Sequence, residues 1–374
     1  MTDCPTLYLF PYLRLRETVS AGPWTLQPLD LDKLTTTEDG IGRTLQALLA
    51  RHRDEAGKHL TTATLVHRIE PEQRSEEDRG LEHRALQAAV TFAVTDANTS
   101  GGNAIDWQAP ALNVATAEVG TFFIGEVTEL DNGTFARRRG GALNRRVVAG
   151  GTVHDEFVVV PPPEGLVSMP ELRLDAELVE AVYRIVVDRW SDHSLTLNRQ
   201  VVSALHWHSR AWENQPLHTM PDIIVQLKTA IEALSGHSST VAGISALEDI
   251  YRAVEGTLGA DQYLWRASAP IFPRTFNGKT KSYSAFAHWY WSLADTRNQI
   301  IHDTEGPVME YLAPGSPFEG NIFRMAERVT RELIKIRLAQ LGYPQAALSP
   351  TNQRVLRLAQ QEGLAKQVKL VAPL

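Results

Sequence analysis

The chain has 374 residues, of which 43% are hydrophobic and 22% charged, with one cysteine and a formal net charge of −7. The lone Cys4 excludes an internal disulfide or a cysteine-built metal site, and no run approaches the ~18 apolar residues of a membrane span. The acidic balance excludes a general polyanion binder of the histone kind.

The beginning of the chain lacks a basic patch followed by an apolar core and a cleavage site. A reducing, cytoplasmic setting with no membrane partner is therefore expected. Charge is uneven: residues 1–165 hold 16 basic and 23 acidic side chains, residues 166–374 hold 21 of each. Any contact with nucleic acid must come from a local patch.

Residues 1–165 read as a β-rich α+β domain. Strand-like runs occur at Thr6–Phe10, Thr62–Ile69, Ala88–Thr95 and Gly120–Val127. A helix is expected over Ile41–Lys58, where Ile41, Leu45, Leu48 and Leu49 share a face. Asn98–Asn103 and Asp131-Asn132-Gly133 read as turns. Arg137, Arg138, Arg139, Arg145 and Arg146 form the one dense basic cluster, either a phosphate- or RNA-binding loop or a solvated hairpin tip. Glu156–Val160 is strand-like, and Pro161-Pro162-Pro163-Glu164-Gly165 reads as the linker that ends the domain.

Residues 166–374 read as helical. Apolar residues recur at helical spacing over Glu177–Trp190, Thr196–Glu213, Pro221–Leu234, Ile244–Leu258, Ser282–His302 and Asn321–Leu341, with a shorter stretch at Asn352–Glu362. Proline opens Pro221–Leu234 and Ser235-Gly236 stops it. Arg324, Arg328, Arg331, Lys335 and Arg337 give the last long helix a basic side, read as a solvated face or the border of an RNA groove.

Ser282–His302 is the most strongly patterned. At ~100° per residue, Phe286, Tyr290, Leu293, Ile300 and Ile301 fall on one side. Ser284, His288, Trp291, Asp295, Asn298 and His302 fall on the other. Arg297 breaks the pattern by projecting from the apolar stripe, where a guanidinium needs an acidic partner, an anionic ligand or a route to water. The bland alternative makes His302 and Asp303 a helix cap and Arg297 half of a structural ion pair.

The chemical reading needs few parts. RNA cleaves itself when a 2′-hydroxyl attacks the adjacent phosphorus, giving a 2′,3′-cyclic phosphate and a 5′-hydroxyl. A histidine, whose ordinary pKa lies near ~6.5, can take or give the proton. An arginine can neutralise the phosphoryl oxygens, and an amide can orient the phosphate or the imidazole. No metal or cofactor is needed. Spacing alone is unspecific, because Arg53…His59 and Arg199…His206 are similar. Neither of those closes a helix with an isoleucine pair before the histidine.

Ile231-Glu232-Ala233-Leu234, then Leu293-Ala294-Asp295-Thr296-Arg297-Asn298-Gln299-Ile300-Ile301-His302, then a terminal amphipathic helix, resembles the HEPN superfamily. The likeness is to its Apea-like branch and spans about residues 190–342. The resemblance implies a helical bundle, a homodimer with apposed signatures, and a metal-independent endoribonuclease. It also implies a toxin or effector role in bacterial anti-phage defence, with RNA, tRNA among the candidates, as substrate. Arg297, Asn298 and His302 inherit the catalytic role. Glu232 matches a recurrent acidic position and is expected to pair with Arg297, with Asp295 as a further supporting residue. The N-terminal domain is expected to act as sensor or targeting element, with a neutralising or sensor partner. The competing function is a non-catalytic HEPN-type module for dimerisation or for nucleotide or RNA binding.

His206, His208 and His218 could suggest a metal, but His206 and His208 point ~200° apart on a helix and cannot chelate one ion. His288 could touch RNA or be a core-edge histidine. No GxxxxGK[ST] or GxSxG sequence occurs, which leaves a P-loop ATPase and a nucleophile-elbow hydrolase unsupported.

Overall fold

The computed structural model describes residues 6–31, 45–47, 49–54, 56–69, 75–100, 125–130, 133–138, 141–142, 144–149, 152–157, 171–172, 174–192, 196–211, 220–254, 272–276, 278–302 and 322–343. They form a β-sheet region followed by a mostly helical one. Two compact units emerge, one of Met1–Asn98, Gln108–Val187 and Trp212–Pro216, the other of Thr99–Trp107, Asp188–Ala211 and Leu217–Leu374. The proline run, His218 and Asn352–Glu362 lie outside the described residues. Among the described residues no helix is long and apolar enough to cross a membrane.

In the first unit, β1 (Thr6–Phe10), β3 (Val19–Ala21), β4 (Trp24–Asp30), β5 (Thr62–Arg68), β6 (Gly125–Leu130), β7 (Gly133–Arg138) and β8 (Gly141–Ala142) make one antiparallel sheet, ordered β3-β4-β5-β1-β6-β7-β8. Short β2 (Arg14–Leu15) pairs in parallel with β11 (Glu171–Leu172), and β9 (Asn144–Ala149) forms a ribbon with β10 (Thr152–Phe157). Tyr8, Phe10, Trp24, Leu26 and Val66 are buried from this sheet.

Helix α1 (Glu76–Ser100) is tied to the sheet through Glu82, which accepts from Tyr8 Oη at 3.4 Å and pairs with Arg68. Helix α2 (Ala176–Ser191) meets it where Tyr183 packs edge-on against Trp24, ring centroids 5.7 Å apart.

Two expectations for this region are corrected. Ala88–Thr95 is not a strand but the middle of α1, with Ala89, Val90, Phe92, Ala93 and Val94 all buried. A continuous apolar run has no period to separate a buried strand from a buried helix. The helix expected over Ile41–Lys58 stops by Leu49, and Arg53 and His59 instead close an isolated β-bridge. The basic cluster also lies on strands: Arg137 and Arg138 end β7, and Arg145 and Arg146 open β9. The register sets Arg137 opposite Glu126, Arg145 opposite Glu156 and Arg146 opposite Asp155. Arg139 lies outside the described residues.

The second unit is built from α3 (Thr196–Ala211), α4 (Met220–Ser235), α5 (Thr240–Val254), α6 (Ala285–His302) and α7 (Ile322–Gln340). Helices α4 and α7 each touch the other four. Helix α4 buries Ile224, Leu227, Lys228, Ile231 and Leu234, the i, i+3, i+4 stripe that helical spacing predicts. It ends at Gly236, whose φ of 72° is left-handed and whose N–H bonds back to the Glu232 and Ala233 carbonyls.

The hairpin β12 (Phe272–Phe276)–β13 (Lys279–Tyr283), unexpected in the helical half, precedes α6. Its register leaves a two-residue connection containing Gly278, with φ of 74°.

Helix α7 departs from a simple amphipathic reading. Leu333, Ile334 and Ile336 are buried, and so are Glu327, Arg331, Glu332 and Lys335. Its basic side is therefore neither a solvated face nor a groove border at Arg331 and Lys335. Inside the bundle, Arg331 Nε donates to Glu327 Oε1 at 2.6 Å, and His208 Nε2 lies 3.5 Å from the same oxygen. Burial alone would raise the Glu327 pKa, but Arg331 and His208 outweigh it and bring it down to about 2. Tyr251 Oη donates to Glu332 at 3.0 Å, and Tyr343 Oη accepts from Asn198 and donates to Asp188.

Candidate active site

Helix α6 starts on a side-chain cap: Ser284 Oγ accepts the Ala287 N–H at 3.0 Å. Phe286, Trp289, Tyr290 and Leu293 then enter the core, and Phe286 packs edge-on against Tyr251 of α5. Gly243 of α5 lets the Tyr290 hydroxyl approach, since a Cβ there would meet it at 3.1 Å.

The last turn leaves the core. Ile300 is half-buried, Asn298, Gln299 and His302 are exposed, and Ile301 is 45% exposed. Ile301 therefore does not belong to the packed stripe: its angle matches the stripe, but the rise of about 1.5 Å per residue carries it past the bundle's edge.

Beneath that turn lies a charged cluster. Lys228 Nζ donates to Glu232 Oε1 at 2.8 Å and to Tyr290 Oη at 3.1 Å. Burial pushes the Lys228 pKa down; Glu232 pulls it back up, and the positive charge of Arg297 pushes it down again. The Tyr290 pKa is raised by burial and by Glu232. The expected Glu232–Arg297 ion pair does not form, because Lys228 holds the carboxylate.

Arg297 is half-buried, and its Nη1 donates to the neutral Oδ1 of Asn298 at 3.1 Å. Its buried Nε has no hydrogen-bond partner among the described residues, nor does Arg297 make an ion pair there. Two cations and one carboxylate thus interact here, leaving an excess of positive charge whose Arg297 end lies against the exposed Asn298. Such a place suits an anion.

Asn298 and His302 are one turn apart on the same helix, both exposed. Asp295 pairs instead with Arg274 of β12, whose guanidinium also lies 4.6 Å over the Trp291 ring. His288 is half-buried on that face, and its pKa is lowered by burial and by Arg274, with Asp295 opposing. Arg137, Arg138, Arg145 and Arg146 belong to the first unit, apart from these residues in the fold's division. His206 is exposed while His208 is buried beside Glu327, and no metal-holding group occurs among the described residues.

Lys228, Tyr290 and Arg274 were not singled out by sequence. Lys228 had a signal, being a lysine at i−4 from Glu232 inside an apolar stripe. Arg274 had another, the Asn277-Gly278 pair that favours a two-residue hairpin. Compared with known proteins, the chain matches no family profile, no curated protein and no solved structure.

Proposed function

We propose that the chain is a metal-independent endoribonuclease of the HEPN type, built on its helical unit, working as a homodimer and acting as a toxin or effector in bacterial anti-phage defence. One observation carries the reading: half-buried Arg297 lacks an acidic partner among the described residues and lies against exposed Asn298, one turn from exposed His302. Glu232, the carboxylate expected to pair with it, is engaged by Lys228.

In the reaction, Arg297 neutralises the phosphoryl oxygens and Asn298 orients the phosphate. His302 removes the proton of the 2′-hydroxyl as the 2′-oxygen–phosphorus bond forms. The 5′-oxygen–phosphorus bond breaks, and the leaving oxygen takes a proton from the partner copy's histidine at the apposed site. Atoms balance as a 2′,3′-cyclic phosphate and a 5′-hydroxyl.

The competing function, a non-catalytic module for dimerisation or for nucleotide or RNA binding, draws support from the exposed Ile301 beside His302. Incubating the protein with total RNA in EDTA and mapping product ends separates the two. Cyclic-phosphate ends that vanish in His302→Ala, with melting unchanged, support cleavage. Products that persist in that variant, or that need magnesium, sink it.

A further inference from the structure

The β12–β13 hairpin belongs to none of the roles assigned above. Between Phe272 and Tyr283 it holds Arg274, Lys279 and Lys281 and no acidic residue. Lys279 and Lys281 are exposed, and neither makes an ion pair among the described residues. Arg274, the cross-strand partner of Lys281, is pinned to α6 twice, by stacking on Trp291 and by pairing with Asp295. Tyr283 meets the same Trp291 edge-on at 6.3 Å, and Lys281 Nζ lies 5.4 Å from the Tyr283 ring centre.

These contacts orient the hairpin. Tyr283, at its base, touches α6 at Trp291, while Arg274, nearer the tip, reaches Asp295, one turn closer to His302. The tip therefore runs toward the end of α6 that carries Asn298 and His302. At ~100° per residue, His288, Trp291, Asp295, Asn298 and His302 lie within about 40° of one line. A continuous track thus leads from the hairpin to the proposed site.

The geometry points to the hairpin as a binding subsite for single-stranded RNA, resting on the ribonuclease reading for what the strand is delivered to. The Arg274 guanidinium, held over Trp291 and neutralised by Asp295, offers a stacking partner to a base, since unstacked bases stack on arginine planes as well as on aromatic rings. Lys279 and Lys281 supply exposed cations for the phosphates on either side. A duplex fits neither part, because its bases are already stacked. Attack by a 2′-hydroxyl also requires the linkage to leave helical geometry so that attacking and leaving oxygens fall in line.

The test uses the full chain carrying His302→Ala, so that the probe survives, and a fluorescein-labelled single-stranded RNA of about 12 nucleotides, within the footprint of stacking platforms. Adding Lys279→Ala and Lys281→Ala weakens binding about tenfold at low salt. It also lowers the slope of log affinity against log salt by about 1.4, two contacts at ~0.7 each. Arg274→Gln weakens binding with less change in slope, its charge being already matched by Asp295. The single strand binds more tightly than the same sequence as duplex.

Unchanged affinity and slope in the folded lysine variant overturn the proposal, as does a preference for duplex. Failure of the His302→Ala chain to bind the probe at low salt overturns it too, whatever protein or vesicle it binds instead. Binding that depends on the hairpin in a protein that never cleaves leaves the subsite standing and removes the nuclease. Cleavage that needs His302 while binding ignores the hairpin does the reverse.

Discussion

Lys228 and Glu232 sit one turn apart on α4 in a 2.8 Å ion pair whose lysine is enclosed and whose carboxylate keeps an edge to solvent. Glu232→Gln strands a buried ammonium, and breaking such a pair from one side costs about 3 kcal/mol. Lys228→Met in the same chain recovers part of that loss by replacing the charge with an apolar stem of similar volume. Urea unfolding measures both, and a double variant no more stable than Glu232→Gln would show that the pair is not the source.

Glu327 sets an acid limit on the bundle. Its pKa falls from the ordinary 4.5 to about 2 on folding. A depressed carboxylate contributes stability that is fully present above 4.5 and lost as pH falls through about 2. The amount is on the order of 3 kcal/mol. Thermal melts across that window should slope steeply in the parent. In Glu327→Gln they should start lower at neutral pH and run flatter; parallel curves would contradict the assignment.

Arg274 and Asp295 act on His288 in opposite senses. Removing the arginine in Arg274→Ala deletes a repulsive charge and leaves Asp295 without its counterion, so the His288 pKa rises. Histidine titration by NMR reads the shift, and a downward move would refute the arrangement.

Gly236 ends α4 in the left-handed region, and a Cβ there would come within 2.5 Å of Gln200 Nε2. Gly236→Ala loses about 1–2 kcal/mol from backbone conformation, with the contact adding to it. Gln200→Ala relieves only the contact. Full recovery in the double variant would mean that conformation contributes little.

Arg297→Lys keeps a charge but loses the planar fork. Under the proposed reaction, cleavage falls about 10²–10³-fold, as for other lost transition-state donors. Stability changes little, because no ion pair is broken among the described residues. A large drop in melting temperature with cleavage retained would assign Arg297 a structural role.

Most helices were legible because one face of each meets the core: the stripes over Glu177–Trp190 and Pro221–Leu234 became α2 and α4 within a residue or two. Helix α1 was misread where it is buried on every side, although its start was marked. Ser75 Oγ accepts the Asp78 N–H while Asp78 Oδ2 accepts the Ser75 N–H, a reciprocal cap readable from Ser75 and Asp78 alone. At the site, the order of Arg297, Asn298 and His302 along α6 was legible. Which carboxylate Arg297 would face was not, because Glu232 had a rival cation four residues away on its own helix. Pair choice of that kind depends on packing that sequence spacing does not encode.

The final turn of α6 stands clear of the bundle, with Asn298, Ile301 and His302 turned outward. Substitutions there disturb little of the packing that keeps the helices together. Inheritance can therefore retune or silence this turn one residue at a time, and the scaffold behind it survives the experiment.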